Sequence, residues 1–140
     1  MANDNVLSKR YATPAMNAIF SERGKAIAER ELWIAVMKAQ RELGVDIPAG
    51  EIARYEAARE SVDLDRIAAI ERKTKHDVKA RIEAFVQAAG AAEHLHKGMT
   101  SRDLTDNVEQ MQIRKAAQLV AGKGVSILRH LADRARAFRE

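Results

Sequence analysis

From Arg102 to Phe138 one helical pattern runs almost unbroken, and no other feature of the chain limits its fold so severely. Ile113, Ala117, Val120, Gly124, Ile127, Leu131, Ala135 and Phe138 step by four or three throughout, a seam close to the 3.5-residue period of a coiled coil. At 1.5 Å per residue such a helix is about 55 Å long, well beyond the ~30 Å breadth of a small domain. A helix of that length with an apolar seam calls for helical partners, and the chain is expected to be all-α. Gly122 and Gly124 lie inside it. Each costs about 1 kcal/mol against Ala in an exposed helix interior, so a close helix crossing is expected there in preference to a kink.

The preceding 100 residues fit the same class. Thr13-Pro14 is an N-cap followed by proline at the first helical position, starting a short helix to about Phe20. Ser21 restarts the chain, and from Glu22 the apolar positions recur at helical spacing until Gly44. Pro48 opens a shorter helix, Asp63 or Asp65 caps the next, and "HDVKARIEAFVQAA" reads as another, closed by Gly90. No strand alternation is present. Aromatic residues are only 4% of the chain, so the core is expected to be aliphatic and rich in small residues.

Composition excludes several function classes. Without a cysteine there can be no disulfide framework, thiol nucleophile or Cys-based zinc site. The apolar runs fall far short of the ~20 residues a membrane span requires, and the N-terminus lacks a signal-peptide core, so a soluble intracellular, cytoplasmic protein is expected. A charge of +4, from 24 basic against 20 acidic residues, leans towards anionic ligands. With so few aromatics for base stacking, nucleic acid is not an expected partner.

Four stretches carry the polar chemistry. In "HKGMTSRDLTDN", Ser101 is expected to cap the long helix, with Asp103 in its first turn. The hydroxyls of Thr100 and Ser101 and the first free N–H groups then converge where an anion can dock, although Ser101 as a plain cap and Gly98 as a plain turn account for the spacing equally well. His94 and His96 lack a diagnostic metal-ligand spacing, and no metal is expected. Lys75-His76-Asp77 falls at a helix start, where an imidazole can address a ligand or Asp77 can simply complement the dipole. Arg10-Tyr11 lies in a polar N-terminal segment; the guanidinium suits phosphate, and an ordinary tail suits the segment as well.

In order, "KRYATPAM", "IFSERGKAIAERELWIAVMKAQRELG", "TKHDVKA" and "HKGMTSRDLTDN" resemble the N-terminal part of the adenylosuccinate lyase family, within the fumarase/aspartase superfamily. The likeness covers Lys9 to Asn107 well; beyond that it is only a shared long helix. Arg10-Tyr11 and His76-Asp77 are the discriminating pairs, whereas the Gly-x-Thr-Ser element is shared with superfamily relatives.

The resemblance implies an N-terminal helical domain over residues 1–100 and, over 101–140, the beginning of a central bundle of long helices. It implies a homotetramer with each active site built from three subunits, and no metal or organic cofactor. The reaction implied is β-elimination of fumarate from adenylosuccinate, giving AMP, and from the succinyl-carboxamide ribonucleotide of purine biosynthesis. By the same resemblance Arg10 and Tyr11 match binders of the substrate phosphate. Lys75, His76 and Asp77 match the stretch beside the purine and the scissile C–N bond, with His76 assisting as an acid. His96 matches a pocket histidine, and Thr100 and Ser101 match binders of a succinyl carboxylate. Proton removal beside a carboxylate builds negative charge on it, so fixed donors there favour the transition state.

The family's main acid, a later histidine, and its base, on a serine loop of the "SSxMPxKxNP" kind, are absent from these 140 residues. The chain alone is therefore expected to be inactive. Two alternatives compete: a carboxymuconate cycloisomerase-like or argininosuccinate lyase-like enzyme, and a non-catalytic helical oligomerisation module.

Overall fold

The computed structural model describes residues 5–139. Among them are seven helices and no strand: α1 (Val6–Arg10), α2 (Pro14–Phe20), α3 (Glu22–Glu42), α4 (Ala49–Ala57), α5 (Leu64–Thr74), α6 (Asp77–Ala89) and α7 (Ser101–Ala137). The fold is all-α, as the fumarase/aspartase resemblance implies. No helix among the described residues is long and apolar enough to cross a membrane.

Local chemistry sets most of the boundaries. Thr13 accepts from the Met16 amide to start α2, Ser21 from Gly24 to start α3, and Asp63 from Arg66 to start α5. Each satisfies an N–H that the first turn would otherwise leave unpaired. Gly90, at φ +57, closes α6 in the left-handed conformation expected of a C-terminal glycine. Helix α1 has no apolar periodicity to announce it. It forms as a single capped turn, with the Asn5 side chain accepting from Leu7 N–H.

One core is shared by α3, α4, α6 and the start of α7. Trp33, Met37, Tyr55, Phe85, Leu104 and Val108 are all fully enclosed. Tyr55 meets Phe85 edge-on at 4.9 Å and Trp33 lies beside Phe85 at 6.4 Å, centroid to centroid, so three aromatics anchor a core otherwise built of aliphatic and small residues. Enclosing such a ring is worth roughly 1.5–3 kcal/mol. The Arg30 guanidinium lies 4.4 Å over the Phe85 ring and donates to the carbonyls of Ala58 and Arg59. A smaller cluster of Ile67, Ile70, Ala80 and Ala84 locks α5 against α6.

Helix α7 packs with one face and leaves another bare. Leu104 and Val108 enter the core, and Gln112 is buried against α2. Ile113 lies nine positions beyond Leu104, about half a turn round the helix at 100° per residue. The seam apparent in the sequence therefore runs along the side opposite the packed one, and Ile113, Val120, Ile127, Leu131 and Phe138 are all exposed. The close crossing expected at Gly122 and Gly124 is not made within this chain: a Cβ at either position meets nothing within 4 Å, and the helix continues through both.

Candidate functional site

Two connections carry the polar residues singled out by sequence. The first is the α5–α6 corner. Lys75 ends α5 in the left-handed conformation (φ +54), with its N–H on the Glu71 carbonyl. His76 is then extended and caps α6, its Nδ1 accepting from the Lys79 amide at 3.3 Å. Thr74 Oγ1 donates to the His76 carbonyl, which pins the corner from the other side. Asp77 begins the helix, where its charge suits the dipole. His76 and Asp77 remain half-exposed.

Arg81, one turn further along α6, ties this corner to the interior. Its Nη1 lies 3.5 Å from Asp77 Oδ2 and 2.9 Å from Oε1 of the fully buried Glu29 on α3. Burial pushes the Glu29 carboxyl above its ordinary range, against the opposing charges of Arg81 and Lys25. Its Oε2 has no partner among the described residues.

The second connection, residues 91–100, is held down by donors and acceptors from α3 and α4. Tyr55 Oη donates to the Ala92 carbonyl at 2.7 Å, Glu51 accepts from the Ala92 amide, and Gln40 Nε2 donates to the Lys97 carbonyl at 2.8 Å. Leu95 is buried beneath it. His96 is left-handed (φ +65), and Trp33 Nε1 on α3 donates to its Nδ1 at 3.2 Å. Burial lowers the His96 pKa; the nearby His76 adds to that, and Asp103 opposes it. The charges of Asp103 and His76 thus both act on His96.

Lys75 and His96 are the non-glycine residues with positive φ among those described. Only a few per cent of non-glycine residues adopt this conformation, and where it persists the surroundings must enforce it, as functional sites often do. Both belong to the polar stretches that stand out in the sequence by residue type alone.

The cap of α7 differs from expectation. Thr100, not Ser101, is the N-cap: its side chain accepts from the Asp103 amide while Asp103 Oδ2 accepts from the Thr100 N–H at 2.7 Å. The Asp three residues after Thr100 closes this reciprocal box, and Ser101 becomes the first helical residue. The Thr100 hydroxyl also donates to Asp103, and these two donors hold the Asp103 carboxyl below its ordinary pKa. The chain's own carboxylate thus occupies the helix terminus, and an incoming anion would have to share donors with it. Ser101 Oγ is not engaged in this box.

Arg10 and Tyr11 lie on a third segment, at the end of α1. Arg10 ends α1, and Tyr11 caps it with its ring exposed. No hydrogen bond or ion pair among the described residues joins either one to Lys75, His76, Asp77, His96, Thr100 or Ser101. No group of three His, Asp or Glu among the described residues could hold a metal ion. Trp33, Gln40, Glu29 and Arg81 were not singled out by sequence reasoning. Trp33 sits at a helical apolar position, and its indole N–H was the one available sign of a polar task.

No protein-family model matches the chain. Among curated proteins it is similar to the adenylosuccinate lyase of Schistosoma mansoni, 36% identical over 94% of this chain and 28% of that protein. It is 35% identical to that of Methanocaldococcus jannaschii, over 90% of this chain and 28% of the relative. The adenylosuccinate lyase of Saccharomyces cerevisiae is 33% identical over 96% of the chain and 29% of its own length. The chain therefore resembles adenylosuccinate lyases over nearly all of its length, while spanning under a third of the length of these relatives.

Proposed function

We infer that the chain is the N-terminal part of an adenylosuccinate lyase, a carbon–nitrogen lyase that removes fumarate from adenylosuccinate and from the succinyl-carboxamide ribonucleotide of purine synthesis. The observation that carries this reading is that two of the family-like stretches, Lys75-His76-Asp77 and His96 to Ser101, each fall on a connection whose backbone is held in the left-handed conformation at a non-glycine residue, Lys75 in one and His96 in the other. Similarity to proteins named adenylosuccinate lyase supports it.

In this reading, His76 and Asp77 lie beside the purine and the C–N bond, and His76 assists protonation of the leaving nitrogen. Ser101 and the α7 terminus hold a succinyl carboxylate, stabilising the charge that grows there as the neighbouring carbon loses its proton. Thr100 contributes if a substrate carboxylate displaces Asp103 from its hydroxyl. Arg10 and Tyr11 bind the substrate phosphate, in an active site shared between subunits. Residues 1–100 form a helical domain and α7 begins the central bundle of a cytoplasmic homotetramer. The exposed apolar side of α7 supports that assignment, because such a face is stable only when other helices cover it. The main acid and base lie outside these 140 residues, so the chain alone has no lyase activity.

The test follows adenylosuccinate loss and fumarate appearance in a chain extended to the length of the relatives, beside the 140-residue chain. Activity in the long form only, with kcat/KM lowered tens-fold or more by His76→Ala and by Ser101→Ala, is the expected result. A long form that folds but leaves adenylosuccinate intact overturns the substrate, and activity untouched by both substitutions overturns the site.

A further inference from the structure

His96 has two ring nitrogens, and the fold has committed one of them. Its Nδ1 lies 3.2 Å from Trp33 Nε1, with the rings edge-on at 83° and 6.1 Å apart. An indole nitrogen only donates, so Nδ1 must present its lone pair and cannot carry a proton while this bond is made. The indole is held rigidly, since Trp33 is 1% exposed and packs beside Phe85. The His96 backbone is fixed as well, in the left-handed conformation between the buried Leu95 and Lys97, whose carbonyl is held by Gln40. Nε2 has no hydrogen-bond partner among the described residues.

We propose that Trp33 is a positioning residue for His96: its indole N–H fixes the neutral tautomer with the proton on Nε2, so that the ring presents a preset N–H donor to an anionic oxygen of the ligand. The part concerning the ligand rests on the lyase reading above; the tautomer does not. The charged or titratable groups acting on His96 are Asp103 at the start of α7 and His76 at the start of α6. Asp103 favours the imidazolium. Burial, His76 and the indole, whose N–H would face a second N–H if Nδ1 were protonated, disfavour it. A neutral donor gains from this arrangement, because the ring need not exchange tautomers or turn over before meeting an anion.

The test begins with the unmutated 140-residue chain, whose single tryptophan makes the indole signals unambiguous. Long-range ¹H–¹⁵N spectra of histidine-labelled protein, assigned with a His96→Asn variant, should show His96 at neutral pH with an acceptor-type Nδ1 and a protonated Nε2. Trp33→Phe keeps an aromatic ring but removes the donor; it should yield a mixture of tautomers and a His96 titration shifted upwards. If that variant fails to fold, the indole fluorescence of the unmutated chain decides, because an imidazolium beside the ring quenches it. A quench on acidification that His96→Asn abolishes supports the contact, and none refutes it. A proton on Nδ1 in the unmutated chain, or an unchanged tautomer in folded Trp33→Phe, overturns the proposal.

In the extended chain, Trp33→Phe should lower kcat/KM about tenfold, the worth of one hydrogen bond of ~1.4 kcal/mol. Combined with His96→Asn it should cost no more than His96→Asn alone. A fixed tautomer without lyase activity would overturn the function and leave the role of Trp33 standing. Lyase activity with a proton on Nδ1 would do the reverse.

Discussion

Gln112, in the fourth turn of α7, donates from Nε2 to the carbonyl of Ile19 at 2.7 Å, joining positions 93 residues apart. That carbonyl sits in the last turn of α2, where no further helical amide follows to pair it. Gln112 is 7% exposed, so the bond is shielded from water. Replacing it by Leu keeps the bulk and removes the donor. The expected loss of stability is about 1–3 kcal/mol, the cost of leaving a buried acceptor unpaired. Chemical denaturation of Gln112→Leu beside the parent chain measures it, and a change below ~0.5 kcal/mol would mean that water reaches the carbonyl.

Gly24 is required by close approach rather than by φ. A Cβ there would run into the carbonyl oxygen of Ala18 and press on Ser21 Oγ, which caps α3 through the Gly24 amide. Ala is otherwise the better helix former by about 1 kcal/mol, so propensity and packing oppose one another at this position. Backbone cannot yield as a flexible side chain would, and Gly24→Ala is expected to lower stability by about 1–3 kcal/mol net. A rise in Tm for Gly24→Ala would refute the close approach of α2 to α3.

The α7 cap makes a sharp prediction from a pair of neighbours. Thr100→Ala removes the oxygen that accepts from the Asp103 amide and should cost about 0.5–2 kcal/mol. Ser101→Ala, in the first helical position and outside the box, should change stability by less than ~0.5 kcal/mol. In the lyase reading the same Ser101→Ala is the more damaging to catalysis. Thermal melts of the two variants separate these roles, and equal losses from both would contradict the cap.

Sequence and structure agree at most of the helix boundaries whose deciding chemistry is local. Thr13-Pro14, Ser21 and Gly90 act within three or four residues, so their spacing is enough to place three helix boundaries, and it narrows the start of α5 to Asp63 or Asp65, of which Asp63 is the cap. Thr100 against Ser101 turned on which hydroxyl the Asp103 amide reaches, a choice between adjacent oxygens that spacing alone does not make. The seam of α7 was legible, but its direction was not, because only Leu104 and Val108 meeting α3 and the core decide which side faces inward. At the candidate site, His76 and His96 were visible as residue types. Their supports, Trp33 at 63 residues from His96 and Glu29 at 52 from Arg81, are long-range pairs written nowhere in local pattern.

Glu29 and His96 give the chain two pH dependences of opposite sign. Burial raises the Glu29 pKa above its ordinary 4.5, so the folded chain holds that proton to higher pH than the unfolded one. Stability from this group is greatest at and below about pH 4.5 and declines as pH climbs through the folded value. Burial lowers the His96 pKa below 6.5, so the unfolded chain takes up the proton first and stability falls as pH drops below that value. The parent Tm alone therefore mixes the two. Glu29→Gln removes one titration while its amide oxygen can still accept from Arg81. The difference in Tm, variant minus parent, should thus grow between pH 4.5 and 7 as the parent is forced to ionise a buried carboxyl with only one oxygen paired. A flat difference across that range would mean that Arg81 compensates the burial of Glu29 fully, so that the carboxyl titrates alike in the folded and unfolded chain.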